Sequence, residues 1–129
     1  MIFLVSKNKG LFSPDKYKQV DFLDAMKILD PIRLVQLDTE TMGLDCHTKD
    51  LLTLQLGNKE NQVVFDWTTL SSSEKEALKE YLESERIFLG WNLSFDLTFL
   101  YVQKIYPKHI IDGMILEKVI FLGFPPILN

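Results

Sequence analysis

Between Arg86 and Leu122 the apolar pattern reads strand, helix, strand, helix, over Arg86–Trp91, about Ser94–Gln103, His109–Asp112 and about Gly113–Leu122. Two strands joined through one helix run parallel, because a right-handed crossover is the connection that a twisted sheet accepts. This rhythm excludes a helical bundle and an all-antiparallel sandwich. It calls for a sheet covered by helices.

The first two thirds of the chain supply the rest of that sheet. Met1–Ser6 reads as a short strand, and Asp21–Leu29 as an amphipathic helix with Phe22, Leu23, Ala25, Met26 and Leu29 on one broad face, closed by Pro31. Ile32–Asp38, Leu51–Gly57 and Gln62–Trp67 read as three sequential strands, the last two forming a hairpin around Asn58-Lys59-Glu60-Asn61. Ser71-Ser72-Ser73 ahead of Glu74 and Glu76 offers two overlapping capping boxes to a helix whose apolar face is Ala77, Leu78, Tyr81 and Leu82. Gly123, Pro125 and Pro126 end the last helix. The expectation is an α/β fold, a mixed sheet of an antiparallel meander plus parallel strands with helices on both faces. No repeat or linker divides the chain, so residues 1–129 read as one domain, with 1–31 as a strand-helix extension.

Composition narrows the partners only a little. With 14 basic and 18 acidic residues, a net charge of -4 argues against a surface that wraps nucleic acid throughout, while leaving room for a metal to supply local positive charge. The single cysteine, Cys46, provides no disulfide framework and points to a reducing cytoplasm. Apolar runs such as Ile2–Val5 are far shorter than the ~20 residues of a membrane span.

Chemistry concentrates at two strand ends. Asp38-Thr39-Glu40 closes the apolar run Leu34-Val35-Gln36-Leu37, and side chains two apart on a strand share a face. Spacing alone has no weight, since Glu74/Glu76 and Glu83/Glu85 repeat it on a solvated helix. Location sets Asp38/Glu40 apart: two carboxylates held at a sheet's mouth repel unless a cation neutralises them, and oxygen-only ligands favour Mg²⁺ or Mn²⁺. The alternative is an acidic strand end open to water. Trp91-Asn92-Leu93-Ser94-Phe95-Asp96 spans the second strand end and a helix's first turn, where the dipole favours Asp96. Asn92 or Ser94 as a plain helix cap is the alternative there. Open α/β sheets bind ligands beyond the carboxyl ends of parallel strands, so neighbouring strands would bring three carboxylates together. Asp112 reads as a cap of the last helix, His47 as solvated, Cys46 as non-nucleophilic, and Trp91 and Phe99 as core aromatics.

Asp38-Thr39-Glu40-Thr41-Met42-Gly43-Leu44-Asp45, then Asn92-Leu93-Ser94-Phe95-Asp96-Leu97-Thr98-Phe99-Leu100, then Ile111-Asp112-Gly113-Met114-Ile115-Leu116-Glu117-Lys118 together resemble the 3′-to-5′ exonuclease (proofreading) domain of family A DNA polymerases, in the DEDD or DnaQ-like superfamily. The resemblance runs from Ile32 to about Phe124. It implies a ribonuclease H-like fold, two divalent ions (Mg or Mn), and hydrolysis of the 3′-terminal nucleotide of single-stranded DNA in replication. By position it implies that Asp38 bridges both metals, Glu40 holds the first and Asp96 holds the second through water. Leu44 would pack on the terminal base, with Thr41, Met42, Asn92 and Phe95 lining the strand end.

Two departures stand out. Met42 occupies a position that is commonly small and polar in the family. The third family motif, a Tyr or His with an Asp four residues later, has no counterpart, since Tyr101, Tyr106 and His109 lack that Asp. The expectation is therefore the N-terminal part of a longer exonuclease attached to a polymerase domain, with little activity by itself. A module that binds a strand end or partner without cutting, and an RNA exonuclease of the ribonuclease D type, are the other readings. The wide apolar arc Met114, Ile115, Leu116, Val119, Ile120 and Phe121 on the last helix suggests self-association.

Overall fold

The computed structural model describes residues 1–8 and 16–121. The expected helix stop at Gly123, Pro125 and Pro126, Leu122 and the Phe121 side chain lie outside the described residues. Among the described residues seven strands form one sheet: β1 (Ile2–Val5), β2 (Lys18–Gln19), β3 (Leu34–Thr41), β4 (Leu51–Gly57), β5 (Gln62–Asp66), β6 (Ile87–Gly90) and β7 (Ile110–Asp112). Their order is β2-β1-β5-β4-β3-β6-β7, with β3-β4-β5 antiparallel and the β3-β6, β6-β7, β1-β5 and β1-β2 pairs parallel. The mixed α/β sheet expected from the sequence is the sheet observed. Helices α1 (Phe22–Leu29), α2 (Ser72–Leu82), α3 (Leu93–Val102) and α4 (Gly113–Phe121) connect or follow the strands.

Strand β3 shows why these residues form this layer. Val35, Leu37 and Thr39 are buried, while Leu34, Gln36, Asp38 and Glu40 alternate with them and are exposed, which is the period-two pattern of a strand with one face in a core. That core joins Val35 and Leu37 to Ala25 and Leu29 of α1, Leu78, Tyr81 and Leu82 of α2, Phe88 of β6, and Leu93, Phe99 and Leu100 of α3. The other face of β3 carries the acid pair.

Some local expectations needed correction. Leu23 is 73% exposed, because the arc of α1 that meets the core is narrower than its apolar composition. Only the first capping box forms: Ser71 Oγ accepts the Glu74 amide and Glu74 Oε1 accepts the Ser71 amide at 2.8 Å. Ser73 already lies inside the first turn, and a helix has one N-cap. The two-residue β2 and the 3-10 turn Trp67–Thr69 gave no sequence signal, being shorter than the windows in which periodicity can be read.

Arg86, read from the sequence only as a strand start, is buried and acts as a clamp. Its guanidinium lies 4.2 Å over the Tyr81 ring, donates from Nε to the Ile32 carbonyl at 3.0 Å, and donates from Nη2 to the Asp30 carbonyl at 2.7 Å. Tyr81 donates its hydroxyl to the Leu29 carbonyl at 3.0 Å, and burial pushes its phenol up to about 12. The carbonyls at the end of α1 are thus satisfied by side chains, which fixes that helix beside the first residues of β3.

Candidate active site

Three local features bring the two motifs to one end of the sheet. The parallel register Leu34↔Ile87, Val35↔Phe88, Gln36↔Leu89 sets the end of β6 beside Asp38. Gly90 then permits a close approach: a Cβ there would lie 2.5 Å from Leu93 Cδ2 and 2.7 Å from the Leu37 carbonyl oxygen. Asn92 turns the chain in the left-handed conformation (φ 55°), a region that Asn tolerates, and α3 begins at the next residue. Asp96 therefore falls in the first turn of a helix launched from the strand next to the one that carries Asp38 and Glu40.

Asp112 holds this junction. Its Oδ1 accepts the Asn92 amide at 2.9 Å and the Met114 amide at 3.0 Å, and its Oδ2 accepts the Leu93 amide at 2.9 Å. The expected cap of α4 exists, but the same carboxylate also caps α3. Asn92 makes no side-chain cap, and its Oδ1 instead accepts the Ser94 hydroxyl at 3.3 Å. One side chain at the end of β7 thereby fixes both helix starts, a role no spacing rule reveals because the partners are about twenty residues apart.

The carboxylates themselves are arranged unequally. Asp38 is exposed, and its Oδ1 accepts the Thr39 amide at 2.9 Å. The Glu40 carboxylate, beside a bulge in the β3-β4 ladder, makes no hydrogen bond or ion pair with any described residue. Asp96 is buried, and its Oδ1 accepts the Thr39 hydroxyl. Burial raises the Asp96 carboxyl above the usual aspartate range; the Thr39 hydroxyl pulls the other way, and the Asp38 charge adds to the rise. Thr39 sits between Asp38 and Glu40, so strand alternation sends it to the core side. Its contact with Asp96 links the two motifs: strand alternation predicts the inward direction of Thr39, and the partner it meets there is set by the fold.

Among the described residues no three His, Cys, Asp or Glu side chains gather closely enough to hold a metal ion. The expected convergence is therefore partial: Asp38 and Glu40 share a face, and Asp96 reaches the same strand but bonds Thr39. In kind, the donors fit a hard divalent cation, since all are carboxylate oxygens. Thr53, paired with Glu40 across the ladder, adds a buried hydroxyl oxygen with no hydrogen-bond partner.

The remaining expected site residues divide by exposure. Met42 and Leu44 are exposed, and Thr41 donates its hydroxyl to the Gly43 carbonyl at 2.7 Å, tightening the turn that presents them. Phe95 is half-buried with its ring centroid 5.3 Å from that of Phe99. His47 is exposed as expected, and Cys46 packs against the core. Phe99 is a core aromatic as read, whereas Trp91 is not: the residue is 60% exposed. Its position just past the end of β6 carries it off the buried face. It lines an open groove of about 490 Å³ together with Gln36, Asp38, Gln55, Gln62 and Gly113.

Known proteins match this arrangement. The family described as 3′-5′ exonuclease matches residues 16–123. The DNA polymerase I of Aquifex aeolicus (strain VF5) is 35% identical over 91 residues, which is 70% of this chain and 14% of that protein. This chain thus spans about one seventh of that relative. Among solved structures, the Nibbler EXO domain of Aedes aegypti superposes with a TM-score of 0.68 at 16% identity, over 95% of this chain and 57% of that one. RNase D of Escherichia coli gives 0.66 at 24% identity, over 81% and 27% of the two chains. RNase D of Trypanosoma brucei gives 0.70 at 19% identity, over 92% and 40%. At these identities the structures establish the shared fold, and the match over most of the sequence establishes more: this chain belongs to the 3′-5′ exonuclease family.

Proposed function

We propose that the chain is the metal-binding part of a 3′-to-5′ exonuclease that acts on single-stranded DNA in a DNA polymerase I-like parent. The observation that carries this reading is the exposed Asp38/Glu40 pair at the end of β3, with the parallel β6-α3 unit delivering Asp96 to the same strand. In this reading Asp38, Glu40 and Asp96 hold divalent cations, Mg²⁺ or Mn²⁺, which when bound lower the pKa of water and stabilise the leaving 3′ oxygen. The chain's own contribution is placement. Asp112 fixes the start of α3, Thr39 orients the Asp96 carboxylate, and Leu44, Met42, Thr41, Asn92 and Phe95 border the place of the terminal nucleotide. The Aquifex relative favours DNA and a polymerase domain in the same parent; an RNA substrate is separated from it by tolerance of the 2′ hydroxyl. A second reading, a module that grips a strand end without cutting, is favoured by the engagement of Asp96 with Thr39.

Calorimetric titration with Mn²⁺ tests the assignment independently of turnover. Binding should occur in the wild type and disappear in Asp38→Ala; equal binding by that variant removes the site. With the parent's downstream segment restored, release of a 3′ label from DNA in preference to RNA of the same sequence separates the nuclease readings, and strand binding without release by that longer chain supports the gripping module.

A further inference from the structure

We propose that Trp91 is a stacking platform for a nucleobase, forming one wall of the groove beside Asp38. The inference deepens the functional reading above and rests on it, since it places one base of a strand whose end lies at the carboxylates.

The two tryptophans behave oppositely. Trp67 is buried with the Lys75 ammonium 5.2 Å from its ring centroid, whereas Trp91 leaves 60% of its surface in water. A singly exposed aromatic residue needs no explanation by itself. Trp91 differs in being held rigidly: the amides of the next two residues, Asn92 and Leu93, are both bound by the Asp112 carboxylate, and Asn92 occupies a fixed left-handed turn. Gly113 backs the ring so closely that a Cβ there would lie 3.1 Å from Trp91 Cε3. The ring is therefore presented by the fold and does not lie on a loose loop.

The rest of the groove states what the ring is presented to. Its polar walls are the carboxamides of Gln36, Gln55 and Gln62, with Gln62 Nε2 donating to Gln36 Oε1 at 3.4 Å. Among the described residues no Lys or Arg lines it, and its one charged group is Asp38 at the carboxylate end, so a phosphate finds no basic side chain along the Trp91 and glutamine walls. Carboxamides both donate and accept, which suits the mixed edge of a neutral heterocycle. A volume of about 490 Å³ lies within the range of small-ligand sites. A flat apolar wall and neutral hydrogen-bonding groups without a basic side chain among them together select a base over the sugar-phosphate backbone. Base-aromatic stacking is also indifferent to which base is present.

The test uses a fluorescein-labelled thymidine hexamer with methylphosphonate linkages, which carries no backbone charge for the carboxylates to repel and no phosphodiester to cut. Binding is followed by anisotropy and, with the unlabelled hexamer, by tryptophan emission. Saturable quenching is expected in the wild type and its absence in Trp91→Phe, which leaves Trp67 as the sole emitter and retains binding within about threefold, while Trp91→Ala weakens binding at least about fivefold. Equal binding by wild type and Trp91→Ala without quenching overturns the platform and leaves the strand-binding reading standing. Binding of neither this hexamer nor its phosphodiester counterpart in Mn²⁺ overturns both. Trp91 emission that changes with protein concentration alone shows that a second copy covers the ring, which also overturns the proposal.

Discussion

Replacing Asp112 with alanine should loosen the junction that places both motifs. The carboxylate accepts three amides, those of Asn92, Leu93 and Met114, at 2.9, 2.9 and 3.0 Å. Hydrogen bonds to charged groups contribute about 1.5–3 kcal/mol each, and loss of a helix N-cap costs about 0.5–2 kcal/mol. These do not add in full. The Asn92 bond is exposed, so water replaces it at small cost, whereas the Leu93 and Met114 bonds are partly buried and about 1 kcal/mol is lost at each. The expected loss is about 2–3 kcal/mol, a large share of the ~5–15 kcal/mol that stabilises a domain of this kind. Asp112→Asn retains an acceptor at the Oδ1 position, which serves Asn92 and Met114, and loses the Leu93 bond, so it should cost about 1 kcal/mol. Urea denaturation at neutral pH measures both, with an unchanged slope showing that stability alone has moved. Hydrogen exchange at Leu93 should accelerate in both variants. An alanine variant within about 0.5 kcal/mol of wild type, or an asparagine variant as damaged as alanine, would refute the capping role.

Asp96→Asn should raise the thermal midpoint of the metal-free chain at pH 7 while abolishing Mn²⁺ binding. The folded carboxyl has its pKa raised above the ordinary 3.8, so the stability it contributes is fully present below 3.8 and lost as pH rises through the folded value; asparagine removes that loss and still accepts the Thr39 hydroxyl. A midpoint lower than wild type at pH 7 would contradict this. Gly90→Ala should cost more than about 1 kcal/mol in the same urea assay and weaken Mn²⁺ binding, because its Cβ meets the Leu37 carbonyl oxygen at 2.7 Å and forces β3 and β6 apart. Arg86→Met should destabilise by about 3 kcal/mol by leaving the Ile32 and Asp30 carbonyls unpaired, and a neutral result by calorimetry would remove the clamp. Ile115, Leu116, Val119 and Ile120 of α4 are all at least half exposed, so the chain should self-associate in sedimentation experiments and a Leu116→Glu/Ile120→Glu variant should not; a wild type monomeric at high concentration sinks this.

Local pattern decided most of the architecture. Local pattern located β1, β3, β4, β5, β6, β7 and the helices α1 to α4 because each is long enough, or flanked clearly enough by turn residues, for its apolar run or period to register. The same reading put Asp38 and Glu40 on one face and Asp96 in the first turn of a helix, since strand alternation and helix starts are local properties of the chain. What tertiary structure alone decided are the relations between distant residues. Asp112 caps two helices, Arg86 closes a helix more than fifty residues away, Trp91 faces a groove instead of the core, and Thr39 claims the carboxylate expected to join a cluster. Each of these depends on which strands become neighbours and on how closely their backbones approach, as at Gly90, where the missing Cβ admits the Leu37 carbonyl. Sequence spacing encodes neither quantity, because a hydrogen bond or a ring contact is set by distance through space, and the fold brings positions 39 and 96 together without leaving a period between them.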